Sequence, residues 1–225
     1  MCGRYGLHHD PQAVAAGLDA HASSGAQAFS PRYNLAPTAT APVIDQARRM
    51  TLARWGLVPH WAKPDTFKAL LFNARSETLF EKPSFRDAAR TARCVVPASG
   101  FYEWRTEDGV KQPYWIARQD GAPLMLAGVH ADRPDAEAYA RTFAIVTQPP
   151  GRLMQQLHDR QPVMLTQGAL EGWLNVDLTD QAALEVLLAD GRNDGLVAYP
   201  VGREVGRAQA DGPELTQPTG APLTS

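Results

Sequence analysis

The sequence predicts an α+β fold, one domain of antiparallel sheet with a few short flanking helices. Three observations carry this. Apolar runs of strand length outnumber segments with helical spacing. Two Asp-Gly pairs, Asp108-Gly109 and Asp120-Gly121, stand between such runs, which is a strong hairpin signal. The 225 residues, a length that suits one large domain, show no internal repeat, coiled-coil register or interior low-complexity linker.

Gly3 to Leu7 reads as a strand. Asp10-Pro11 supplies an N-cap and a first-turn proline for a helix reaching about Ala20. His21 to Thr40, with its Ser, Gly and Pro, reads as loop; Thr51 to Trp55 is extended and Trp55 to Pro64 is loop-like. Short helices are expected at Ser76 to Phe80 and, capped by Ser84, over Ser84 to Ala92. From Arg93 the signal turns to strand: Cys94 to Pro97, Phe101 to Arg105, Pro113 to Arg118, Leu124 to Val129 and Thr142 to Thr147. Pro149 to Leu157 reads as a helix, Pro162 to Leu165 as a strand, and Gln167 to Ala189 as one or two helices. Leu196 to Val201 closes the pattern, so the domain is expected over residues 1–217 and a disordered tail over 218–225.

Composition narrows the function. Twenty-two basic against 24 acidic residues give a net charge of −2, which argues against sequence-blind coating of nucleic acid but leaves room for a local phosphate site. Only four of the basic residues are lysines (63, 68, 82 and 111). Arginine suits bidentate phosphate contacts, although a compositional bias of the genome explains the same skew. No run approaches the roughly 18 apolar residues of a membrane span. The first residues lack a signal peptide's apolar stretch, so a cytoplasmic protein is expected. Two cysteines are too few for a disulfide scaffold, and the six histidines show no metal spacing. Phosphate-loop, dinucleotide, zincin and serine-elbow signatures are all missing, and no cofactor is implied.

What remains is position two. Met1 precedes a small residue, and removal of the initiator would leave Cys2 as the first residue. Such a cysteine holds an α-amine and a thiol on adjacent carbons. The amine titrates near 7.7–8.0, against about 10.4 for lysine, so about a quarter of it is nucleophilic at pH 7.4. It can condense with an aldehyde to a Schiff base. The thiol can then close a five-membered thiazolidine ring, and because that step is intramolecular its entropic cost is small. Cys94, in an apolar run, reads as a buried core thiol.

Three polar residues strengthen the case for Cys2. Period two puts Phe101, Glu103 and Arg105 on one face of an aromatic strand, with Tyr102 and Trp104 on the other. If Tyr102 and Trp104 pack inward, Glu103 points to a cleft or to solvent, and among aromatics a raised pKa would let it shuttle protons; the plainer reading is a surface pair with Arg105. His158 sits at a junction that can aim an imidazole into a pocket, or else caps locally against Asp159. Asn73 can hydrogen-bond a substrate or an intermediate, or simply form a turn.

The segments add up to a resemblance. Met1-Cys-Gly-Arg-Tyr5, Arg32-Tyr-Asn-Leu-Ala-Pro37, Arg54-Trp-Gly-Leu-Val-Pro59-His-Trp-Ala62 and Phe72-Asn-Ala-Arg-Ser-Glu77 resemble the SOS-response-associated peptidase (SRAP) family. So do Lys82-Pro-Ser-Phe-Arg86, Cys94-Val-Val-Pro97, Gly100-Phe-Tyr-Glu-Trp104, Phe143 to Thr147 and His158-Asp-Arg160. The motifs run in family order from residue 2 to about residue 217.

The resemblance implies a barrel-like antiparallel core and covalent capture of abasic sites in single-stranded DNA, shielding them during replication. Cys2 would be the nucleophile, Asn73 would orient the sugar or the cysteine, and Glu103 would position the amine and move protons. His158 would serve ring opening and crosslink formation or reversal. Phosphate contacts would come from Arg4, Arg75 and Arg160, with Asn34, Pro37 and Trp61 shaping the groove; an indole stacked on a base is worth about 1–3 kcal/mol. Trp55, Trp104 and Trp115 read as core instead. The partner is then single-stranded DNA carrying abasic sites, with the protein a monomer, off the membrane and nucleoid-associated when bound. Some relatives cut residues from ahead of the cysteine themselves, so the resemblance also implies a self-processing peptidase activity, although for Met1 alone an aminopeptidase could suffice.

Three departures stand out: Ser99 where relatives often carry aspartate, Gln161 where methionine is usual, and a late segment, Val201 to Arg207, without the common asparagines. Two other functions compete with abasic-site capture: an N-terminal-nucleophile cysteine hydrolase, and a non-covalent reader of modified bases. A lyase side reaction is open to any imine at an abasic site.

Overall fold

The computed structural model describes residues 2–63, 66–133, 139–190 and 195–223. The strands are β1 (Tyr5–Leu7), β2 (His21–Ala22), β3 (Arg32–Leu35), β4 (Thr40–Asp45), β5 (Arg49–Trp55), β6 (Asn73–Arg75) and β7 (Arg93–Ala98). They continue as β8 (Gly100–Glu107), β9 (Val110–Arg118), β10 (Leu124–Asp132), β11 (Arg141–Gln148), β12 (Gln161–Pro162) and β13 (Leu196–Pro200). The helices are α1 (Pro11–Ala16), α2 (Ser24–Gln27), α3 (Arg86–Thr91), α4 (Gln167–Leu174) and α5 (Gln181–Ala189).

Strands β11, β10, β7, β4 and β5 pair antiparallel in that order. A parallel contact from Arg54 and Trp55 to Thr142 and Phe143 closes them into a barrel. Strand β6 lies parallel beside β11, with Asn73 opposite Ile145 and Arg75 opposite Thr147. The second sheet runs β13-β9-β8-β1-β3. Only Ser99 separates β7 from β8, so the chain passes from the barrel straight into the strand that carries Glu103. The architecture is α+β, as the sequence predicts, with the barrel core that the resemblance implies. No helix among the described residues is long and apolar enough to cross a membrane.

Alternation divides the core in two. On β7, Cys94, Val96 and Ala98 join Cys2, Tyr5, Trp55 and Phe101, while Val95 joins the helix-covered core with Leu170, Trp173 and Leu184. Cys94 is a buried core thiol, pushed up by burial, as expected. The outer face of the second sheet holds a third cluster, Tyr102, Trp115, Val201, Val205 and Leu215.

Arg93 pins the helices to the barrel. It is fully buried and donates to the carbonyls of Arg90 (2.7 Å), Trp173 (2.7 Å), Asn175 (2.6 Å), Leu178 (3.0 Å) and Ala89 (3.3 Å). All but the Leu178 carbonyl lie at the C-terminal ends of α3 and α4, where orphan acceptors and the helix dipole both favour a cation.

Several local expectations hold. Asp10 caps α1 by accepting from Gln12 N–H at 3.0 Å. Asp108 and Gly109 both take positive φ (48° and 77°), the geometry of a tight hairpin between β8 and β9. Others need correction. Helix α1 stops at Ala16, with Gly17 at its C-cap and Asp19 at φ 49°. Ser84 does not cap α3; Phe85 holds that position with no side-chain hydrogen bond. Pro149 to Leu157 contains only a single 3-10 turn, Met154–Gln156. The stretch read as loop, His21 to Thr40, contains β2, α2 and β3. At the far end, Val201 bridges Pro218 and Ala198 bridges Leu223, so residues 218–223 of the segment expected to fray run along β13, while 224–225 lie outside the described residues.

Gly100 is tightly enclosed. A Cβ there would lie 2.5 Å from the Ile116 carbonyl oxygen and overlap the Trp115 indole. Gly100→Ala should therefore destabilise the protein by about 1–3 kcal/mol, read as a lower denaturation midpoint; an unchanged midpoint would show that β8 and β9 can part without cost.

Candidate functional site

Cys2, just ahead of β1, is 0% exposed. Its carbonyl accepts a hydrogen bond from Asn73 Nδ2 at 2.9 Å. The partner strand β6 delivers Asn73 there, and period two puts Arg75 on the same face while Ala74 packs into the core. Asn73 Oδ1 is buried and has no hydrogen-bond partner among the described residues, so the amide offers a further acceptor beside the cysteine.

Glu103 is 3% exposed. Its strand neighbour two residues back, Phe101, packs in the same cluster as Cys2, while Tyr102 packs on the opposite side. Both faces of β8 are thus covered here, and the cleft-or-solvent position expected for Glu103 is an interior one. Arg105 pairs with Glu107, which removes the surface-pair reading. Burial raises the Glu103 carboxyl to about 7, and the nearby Asp159 charge adds to that rise.

Burial likewise pushes the Cys2 thiol well up, and the Glu103 charge pushes it further, so at neutral pH the sulfur keeps its proton. Burial lowers the His158 imidazole below its ordinary value. His158 Nδ1 lies 2.7 Å from Asp159 Oδ1 and accepts from the Arg160 N–H at 3.0 Å. The site therefore presents a protonated thiol, a carboxyl that titrates near neutrality and an imidazole held below its ordinary range.

The residues expected to meet DNA divide into two sets. Arg75 is exposed, and Trp61 is 55% exposed, with its Nε1 donating to Pro83 O at 3.3 Å and its ring edge-on to Phe67. Pro37 is half-buried in a turn whose next residue, Thr38, takes φ 80°. Asn34 is different: it is 1% exposed, and its Nδ2 donates to the carbonyls of Val205 (3.2 Å), Arg207 (2.9 Å) and Ala210 (2.8 Å). Arg4 Nη1 donates to Asn34 Oδ1 and to Val205 O, both at 2.8 Å, and Nη2 reaches Gly206 O at 3.3 Å. These two side chains are spent on a strap of C-terminal backbone. Arg160 is also buried, with its guanidinium forked onto Glu77 and donating to Thr147 O at 2.7 Å. Trp55 is fully buried, Trp115 is buried and Trp104 half-buried, in keeping with their core reading.

Sequence reasoning gave Glu77 no role, although it lies four residues after Asn73. Its partner Arg160 lies 83 residues away, so no local spacing signals the pair.

Barrel and second sheet together define a protein that buries its second residue, Cys2, beside an amide from β6 and a carboxyl from β8. The family model described as SOS response associated peptidase (SRAP) matches residues 1–208, and the chain belongs to that family. It is 34% identical over 223 residues to the abasic site processing protein YoqW of Bacillus subtilis (strain 168), covering 96% of this chain and 99% of the relative. It is 30% identical over 191 residues to the abasic site processing protein YedK of Escherichia coli (strain K12), covering 83% and 84%. An X-ray structure of a protein from Bacteroides thetaiotaomicron superposes with a TM-score of 0.87 at 27% identity, covering 97% of this chain and 100% of that one.

Proposed function

We propose that the protein captures abasic sites in single-stranded DNA as a thiazolidine on Cys2, once Met1 has been removed. The observation that carries this reading is the pairing of a clamped Cys2 with a buried Glu103 that titrates at about 7. The free α-amine adds to the C1′ aldehyde of the opened sugar, and water leaves as the imine forms. The thiol then adds across the C=N bond; its proton is taken up by Glu103 and returned to the ring nitrogen, so the net addition needs no oxidant or cofactor. His158 exchanges the proton that opens and closes the sugar ring.

Keeping the thiol protonated favours attack by the amine first. It disfavours the hydrolase reading, which needs a thiolate. Ring closure also withdraws the imine from β-elimination, so the strand should stay intact. Arg75, Trp61 and Pro37 are assigned to the DNA path, and Asn34 and Arg160 to building the site.

Purified protein incubated with an abasic single-stranded oligonucleotide should give a band that survives a denaturing gel, and intact mass should show loss of Met1. Cys2→Ala should remove that band completely. An undiminished band in Cys2→Ala overturns the proposal, and tight reversible binding without any band indicates a non-covalent reader.

A further inference from the structure

Beyond the reacting groups, we infer that Glu77 is a positioning residue which, through Arg160, sets the tautomer and place of His158. This rests on the reading of His158 as the proton-exchanging group proposed above. Arg160 occupies the end of the 149–160 loop, where the chain returns to pair with β11 through Gln148–Gln161 and Thr147–Pro162. Its side chain is locked on one side by the two Glu77 oxygens and on the other by the Thr147 carbonyl. A bidentate guanidinium–carboxylate fork fixes orientation as well as distance.

With the side chain held this way, the backbone N–H of Arg160 is aimed at His158 Nδ1 at 3.0 Å. An N–H donor at Nδ1 requires that nitrogen to accept, which leaves the imidazole proton on Nε2. Asp159 Oδ1 stands 2.7 Å from the same Nδ1 and attracts a proton there instead. Nδ1 therefore has two competing partners, and it cannot satisfy both in one protonation state. The Glu77–Arg160 fork decides the competition by holding the amide in place, and Asp159 takes over only when the ring gains a second proton.

The same fork ties two functional segments together. Glu77 follows Asn73 and Arg75 on the stretch leaving β6, and Arg160 ends the loop that carries His158. Gln161 closes that loop's base from inside: it is fully buried, and its Oε1 accepts from Gly151 N–H at 2.7 Å. The side chain found where relatives usually carry methionine thus reinforces the same frame.

The test compares wild type with Glu77→Gln and with Arg160→Lys, which keeps the charge but loses the fork. Nitrogen NMR of ring-labelled histidine, without DNA, should show His158 protonated at Nε2 in wild type and a mixture of tautomers in both variants. Single-turnover capture of an abasic oligonucleotide at saturating DNA should slow by about 10- to 100-fold, while affinity for the same strand without the abasic site stays within about twofold. Variants that keep the wild-type tautomer and rate overturn the inference. So does a loss of affinity at an unchanged rate, because Arg160 would then be a phosphate contact. If wild type captures no abasic DNA, the functional reading fails, while the tautomer measurement still decides the role of the fork. Should Glu77→Gln not fold, Arg160→Lys carries the same two readouts.

Discussion

Glu103→Gln should slow covalent capture at pH 7.5 by about 100-fold, the usual worth of a positioned proton-transfer group. In wild type the rate should climb as pH rises through about 7, because only the ionised carboxyl can take the thiol proton. The glutamine variant should lose that step and keep only the dependence set by the α-amine near 7.7–8.0. Its stability should move in the opposite sense. The carboxyl titrates at 4.5 unfolded and at about 7 folded, so between these values the folded state holds the extra proton and stability falls as pH rises. The penalty is fully present above about pH 7 and amounts to about 3 kcal/mol. Glu103→Gln should therefore melt higher than wild type at pH 8 and alongside it below pH 4.5. Equal melting differences at both pH values would mean that the carboxylate is not desolvated, and the proton-shuttle role would go with it.

The second large effect is structural. Arg93→Ala should cost about 3–5 kcal/mol in denaturant unfolding, since it removes a buried cation and strands the carbonyls it serves at the ends of α3 and α4. Arg93→Met, which fills the space without donors, should recover only the packing part. A loss below about 1 kcal/mol for Arg93→Ala would show that water replaces the guanidinium readily. The damage should reach the site, because β7 leads through Ser99 into β8 and Glu103.

Much of this architecture is legible in the sequence, and the failures have physical causes. The hairpin at Asp108-Gly109 was readable because positive φ restricts the residues that a tight turn accepts. The Asp10 cap was readable because its partner lies two residues on. Strand β4 was not, because Ala41 to Asp45 are buried on both faces and show no alternation. The helix expected at Pro149 to Leu157 is mostly loop, since Gly151 N–H is taken by Gln161 ten residues on and Leu153, Met154 and Leu157 pack into the barrel core.

In the site, local sequence named Cys2, Asn73, Glu103 and His158, and the structure lays Asn73 on the Cys2 carbonyl and Glu103 beside the thiol. What sequence could not show is where a polar side chain spends its hydrogen bonds. The resemblance implies DNA contacts for Asn34 and Arg160, and in three dimensions both are buried ties.

The tie from Arg4 and Asn34 to the carbonyls of Val205 and Gly206 joins segments 171 to 202 residues apart in sequence. Arg4 stands two residues from Cys2, so the geometry of the first residues is completed only once the chain has been made as far as Gly206. Synthesis must thus pass residue 206 before the segment around Cys2 is tethered, and a break ahead of that point amounts to loosening the start of the fold.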